Sequence, residues 1–158
     1  MNEKLIANLE KLLALHHQLY KVAFQKTDLL KKNDIEALKE TLNYEQKFVQ
    51  AISQMEAERI ELTSKFLGRT DELTLMACIE KADGSNKEKL QNIYDEFKKV
   101  MGDLKNINNL NKQLTQQALQ LVSITINTMM PQEGDHNYQK PDKKNGQAKR
   151  RSIFDSKA

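Results

Sequence analysis

Tryptophan is absent from this 158-residue sequence, cysteine occurs once, proline twice and glycine five times. A single cysteine, Cys78, excludes an internal disulfide and fits a reducing compartment. So few glycines and prolines leave little material for the turns of a many-stranded β-protein. No uncharged apolar run approaches the roughly 20 residues that a bilayer span needs. The opening "MNEKLIANLEKLLALHH" interleaves Glu3, Lys4, Glu10 and Lys11 with its apolar residues, so it offers no signal-peptide core. The expectation is a soluble, cytoplasmic, single-domain chain.

What is present is helical and surface-rich: 39% hydrophobic and 30% charged residues. The net charge of +3 is uneven, because residues 1–130 hold 18 Lys+Arg against 18 Asp+Glu while 131–158 hold 7 against 4. Ile6, Leu9, Leu13, His16, Tyr20, Ala23, Thr27 and Leu30 recur at spacings of three and four, with Leu5, Leu12 and Leu19 alongside. This pattern predicts an amphipathic helix over about 2–32. Lys31 and Lys32 suit its C-terminus, and Asn33 with Glu36 reads as an N-cap and capping-box partner for a second helix. The second seam runs Ile35, Leu38, Leu42, Glu45, Val49, Ile52, Glu56, Arg59, with Phe48, Met55 and Leu62 beside it and Gly68 as C-cap.

Leu75, Cys78, Ile79 and Ala82 share one face of a short helix capped by Asp71 or Thr74 and ending at Gly84. Ser85 and Glu88 then read as a capping box opening the longest seam: Leu90, Ile93, Phe97, Val100, Leu104, Ile107, Asn111, Leu114, Ala118, Leu121. Only Gly102 interrupts it. At a 1.5 Å rise such a helix measures roughly 65 Å against roughly 45 to 50 Å for the first two, so its end should overhang. The expected fold is all-α: an elongated antiparallel bundle or coiled coil of three long helices plus one short helix over 1–130. Residues 131–158, with both prolines and the basic run "KKNGQAKRR", read as a mostly mobile C-terminal tail.

Chemistry is hard to find. His16 and His17 are consecutive on a helix, about 100° apart, and cannot chelate one ion together. His16 on the seam reads as a partly buried bundle histidine, Cys78 as packing, and Glu56 with Arg59 as a structural ion pair. No glycine-rich phosphate loop, ligand-spaced Cys or His pair, or nucleophile elbow is present. An enzyme is therefore the least favoured class, and no cofactor or metal is expected. Lys143, Lys144, Lys149, Arg150 and Arg151 have charge enough to touch nucleic acid or anionic lipid. No aromatic is interleaved with them for base stacking, so a solvated tail without nucleic acid is the favoured reading.

The stretch "ALQLVSITINTMM" departs from a simple bundle pattern. Ala118, Leu121 and Thr125 continue the seam, while Leu119, Val122, Ile126 and Met129 form a further stripe, with Met129 and Met130 supplying adaptable side chains. A second stripe is what a groove for a partner's amphipathic helix needs. Packing under the loop around Lys31–Ile35, or a homodimer seam in a self-associating coiled-coil scaffold, would use the same residues.

The pattern Leu104-x-x-Ile107-Asn108-x-x-Asn111-x-x-Leu114-x-x-Gln117-x-Leu119-x-Leu121 resembles the signature of the FlgN family of flagellar export chaperones. Met55–Leu62, "MEAERIEL", is similar to that family's E-x-x-R-x-x-L, "KTDLLKKNDIEALKETL" to its first interhelix link, and "SIFDSKA" to the way many members end. The resemblance spans nearly the whole chain. It implies a cytoplasmic chaperone that binds the C-terminal helices of hook-associated proteins, of the FlgK and FlgL type, before type III export. The client-binding set is then Asn111, Leu114, Ala118, Leu119, Val122, Ile126 and Met129. Tyr138 matches a tyrosine associated in the family with docking to the export-gate membrane protein, although Gln139 replaces the glycine that usually follows.

Overall fold

In a computed structural model, the described residues run from Asn2 to Met129. They form four helices, α1 (Asn2–Lys32), α2 (Ile35–Leu67), α3 (Leu75–Lys81) and α4 (Gly84–Met129), with no strand among the described residues. The chain divides into two compact units inside α4: Met1–Thr115 and Gln116–Ala158. The tail and its Tyr138, and Met130, lie outside the described residues.

The turn between α1 and α2 is built by two adjacent residues with different tasks. Asn33 takes the left-handed conformation, φ 55°. Its N–H donates to Leu30 O at 3.4 Å, and the Asp34 N–H donates to Leu29 O at 3.1 Å. That pair of bonds is a Schellman closure of α1, which favours Gly or Asn at this position. Asp34 then caps α2, its side chain accepting from Ala37 N at 3.2 Å. The expected N-cap is thus shifted by one residue: Asn33 ends the first helix and Asp34 starts the second. Gly68 closes α2 as expected, with φ 71° and its N–H donating to Ser64 O at 2.8 Å. Thr74 caps α3 by accepting from Ala77 N at 3.1 Å. The capping box expected for α4 is not formed in that way, because the helix already begins at Gly84, φ 56°, placing Ser85 inside the first turn.

Within the first unit, α1 and α2 are antiparallel: Asn8 Nδ2 donates to Met55 O at 3.1 Å near one end, and Lys26 pairs with Glu45 at 2.7 Å near the other. The lysine and carboxylate side chains are only 16% and 29% exposed, so this bridge is screened less than a surface pair. α4 runs parallel to α1. Leu5, Ile6 and Leu9 pack in one cluster with Leu90 and Ile93, joined by Cys78, Ile79 and Ala82 of the α3 region. Leu13 packs further along with Val100 and Leu104, flanked by Tyr20, Phe97 and Ile107. His16 lies half-buried against Phe97, ring centroids 5.4 Å apart and edge-on, with Nδ1 2.7 Å from Leu12 O.

The α2 seam is rotated from the expected one. Its two buried residues are Thr41 and Thr63, whereas Ile35, Leu42 and Val49 are 57%, 40% and 50% exposed. Burying Thr41 is cheap because its hydroxyl donates to Ala37 O at 2.8 Å, within the same helix. Thr63 lies beside the Cys78 thiol, which burial pushes above the ordinary thiol range and the Thr63 hydroxyl draws partly back. Arg59 forms the expected ion pair with Glu56, and the structure shows it to be bidentate, at 2.9 and 2.7 Å. It also donates from Nη1 to Leu73 O at 2.9 Å, which ties the α2–α3 loop to α2.

Candidate functional site

The seven expected client-binding residues fall into two environments. Asn111 belongs to the interior of the first unit, 3% exposed, with Nδ2 donating to Ala23 O at 2.9 Å and Thr27 Oγ1 donating to its Oδ1 at 2.5 Å. A client helix reaches that amide only by displacing α1, so in the folded chain Asn111 holds the bundle together. Leu114 is half-buried in the same unit.

In the second unit the described residues are the helical stretch 116–129. Ala118 is half-buried there. Leu119, Val122, Ile126 and Met129 are 49%, 54%, 55% and 77% exposed. At 100° per residue these four fall within a quarter-turn of one another, so they make one continuous apolar stripe. Leu121, expected on the bundle seam, is instead 60% exposed, and Ile124, which the seam does not include, is 62% exposed. The signal that marks them in the sequence is electrostatic: no charged residue occurs between Lys112 and Glu133.

The stretch remains helical to Met129 despite its exposure. Thr125 and Thr128 hydroxyls donate to Leu121 O and Ile124 O, four residues back, at 2.9 and 2.8 Å. What this surface offers chemically is adaptable apolar contact, with amide side chains at Gln116, Gln117, Gln120 and Asn127.

Elsewhere the first unit has a shallow groove of about 260 Å³ between α1 and α2, lined by Gln18, Lys21, Val22, Gln25, Thr41, Tyr44 and Phe48. The lining holds no carboxylate, imidazole or thiol to act as acid, base or nucleophile. Among the described residues no three His, Cys, Asp or Glu side chains converge as a metal site, and no helix is long and apolar enough to cross a membrane.

The family model described as FlgN protein matches residues 1–146. The chain is 41% identical over 155 residues to the uncharacterized protein YvyG of Bacillus subtilis (strain 168), covering 98% of this chain and 97% of that protein. No solved structure matches the chain. A match over that span fixes the assignment: the chain belongs to the FlgN family of flagellar export chaperones.

Proposed function

We propose that the apolar end of α4 captures the C-terminal amphipathic helices of hook-associated proteins, of the FlgK and FlgL type, in the cytoplasm. The chain then delivers them to the membrane protein of the flagellar type III export gate. The observation that carries this reading is the stripe Leu119, Val122, Ile126 and Met129, four large apolar side chains at helical spacing and 49–77% exposed. Exposed apolar surface of this kind marks an interaction site, and helix-in-groove recognition reads anchors at alternating spacings of three and four, as these four are. Methionine at the far end adapts to more than one client. No nucleotide or metal takes part.

Transfer to the gate is assigned to Tyr138, which lies outside the described residues and rests on the family resemblance. An aromatic in a polar tail is better explained by a partner than by packing.

The decisive experiment is capture of a hook-associated C-terminal peptide by the wild-type chain and by Val122→Asp with Ile126→Asp. Loss of capture by a variant that remains folded supports the reading. Unchanged capture overturns it. Light scattering on the eluted chain tests the competing scaffold reading, in which the stripe is a homodimer seam: a tight dimer that protects residues 119–129 would favour it.

A further inference from the structure

Two directions organise the packing around α1. The side chains that meet α2, Asn8 beside Met55 and Glu58 and Lys26 beside Glu45, point the same way at 100° per residue. Those that meet α4 are Leu13 against Val100 and Leu104, His16 against Phe97, and Thr27 against Asn111. They centre about 100° further round the helix. α2 and α4 therefore stand on α1 as two walls with a notch between them.

At one end α3 fills that notch. Its Cys78 and Ile79 join Leu5, Leu9, Leu90 and Ile93, and Leu67 of α2 and Tyr94 of α4 pack against the same cluster. Further along, the same lines of the two walls are uncovered. Val49 lies on α2 about five turns before Leu67, Leu42 lies about 20° from that line, and Met101 lies on α4 about two turns after Tyr94. Their exposures are 50%, 40% and 50%. What α3 does for one end of the notch, a second amphipathic helix would do for the rest.

Charge decides which helix fits. Outside the Met101 line, exposed lysines recur every seven residues at Lys98, Lys105 and Lys112, and the exposed Lys39 stands outside Leu42 on α2. None of these four forms a salt bridge among the described residues. The carboxylates on the notch side of α2, Glu45 and Glu56, are already paired with Lys26 and Arg59. A helix seated between the walls thus meets free cations on both rims, the arrangement that selects acidic flanking positions in a partner. Residues 131–158 of the chain itself hold 7 Lys+Arg against 4 Asp+Glu, the wrong sign. A second copy seated face to face would set lysine against lysine.

We propose that this notch, beyond the end filled by α3, is a docking site for a partner protein's amphipathic helix that is acidic along both flanks of its apolar seam. It uses no residue of the stripe Leu119, Val122, Ile126 and Met129, so it stands or falls independently of client capture.

The test is fluorescence anisotropy of two labelled synthetic helices titrated with the full chain. Both carry leucine at alternating spacings of three and four over about 21 residues, one with glutamate and the other with lysine at the flanking positions. The glutamate helix is expected to bind at least about tenfold more tightly than the lysine helix, and less tightly as salt rises. Val49→Asp with Met101→Asp, both at exposed positions, should weaken it about tenfold or more while the circular dichroism stays that of the wild type. Lys98→Glu with Lys105→Glu and Lys112→Glu should reverse the preference in favour of the lysine helix. No binding of the glutamate helix, equal binding of the two helices, or indifference to either variant overturns the proposal. Binding lost in Val122→Asp with Ile126→Asp but kept in Val49→Asp with Met101→Asp would put the helix on the end of α4, and overturns it too. A homodimer abolished by the Val49 and Met101 changes would show that a second copy takes the notch, and overturns it as well.

Discussion

Asn111 of α4 and Ala23 of α1 are joined side chain to backbone, Nδ2 to carbonyl oxygen at 2.9 Å, across the parallel helix pair. Thr27 completes the junction. Its one hydroxyl proton has two oxygens within reach, Ala23 O at 3.1 Å and Asn111 Oδ1 at 2.5 Å. The carbonyl already receives the Asn111 amide, while Oδ1 is the nearer oxygen and has no other donor among the described bonds, so the proton belongs on Oδ1. A buried asparagine satisfied at both ends fixes which turn of α4 meets which turn of α1, much as a single polar residue fixes register in a coiled coil.

Asn111→Ala should therefore destabilise the first unit by about 1 to 3 kcal/mol, because it removes both hydrogen bonds between α1 and α4 at this turn and leaves space where the buried amide was. Thr27→Ala with Asn111→Ala should cost less than the sum of the two single changes. Urea unfolding of all three variants measures the coupling; strictly additive costs would show that the two side chains do not act as a unit.

Leu104 and the Val122–Ile126 pair should respond oppositely to substitution. Leu104 is 5% exposed in the core beside Leu13 and Val100, and Leu104→Ala should cost about 2 to 5 kcal/mol. Val122→Asp with Ile126→Asp alters exposed positions and should shift the thermal midpoint by only a few degrees. A midpoint drop equal to that of Leu104→Ala would show that the stripe is core.

Arg59 should not be replaceable by lysine. It engages both carboxylate oxygens of Glu56 and the Leu73 carbonyl at once, a planar fork that a single ammonium does not reproduce. Arg59→Lys and Arg59→Ala should both speed proteolysis in the 68–74 loop, measured by limited digestion, while a change at the exposed Lys65–Glu61 pair should leave it unaltered.

The α1–α2 turn makes a prediction of opposite sign at neighbouring residues. Asn33→Gly should be neutral or slightly stabilising, because φ 55° suits glycine. Asp34→Ala should lose about 0.5 to 2 kcal/mol with the N-cap bond to Ala37. Chemical denaturation of the two variants separates these effects.

How far the sequence foretold this structure differs from element to element. The span of α1, the Gly68 cap and the Arg59–Glu56 pair were legible because each depends on local spacing or on one residue's backbone preference, while the α3 cap was narrowed only to Asp71 or Thr74, of which the structure takes Thr74. The Asn33–Asp34 turn was misread by one position, since both residues are good cap formers and only the left-handed φ at Asn33 decides between them. The α2 seam was legible as amphipathic but not in its angle. Leu42 and Val49 sit about a quarter-turn from Thr41 and Phe48, and hydropathy favours the former while packing against α1 takes the latter. Leu121 was placed on the seam because periodicity does not say where a helix stops being covered. The Thr27–Asn111 bond was hidden too: both residues lay on their seams, but 84 positions of sequence separate them.

The lone thiol, 1% exposed and held in its protonated form by burial, gives the folded chain a silent background towards thiol-directed reagents, because only the thiolate attacks them. A cysteine introduced at Gln120 or Asn127 can therefore carry a fluorophore or spin label without removal of Cys78, and its signal reports on that end of α4 alone. The same silence makes Cys78 a clock: under a pulse of reagent it is modified only in molecules that have opened, so the rate at which mass is gained reads out the opening of the first unit directly.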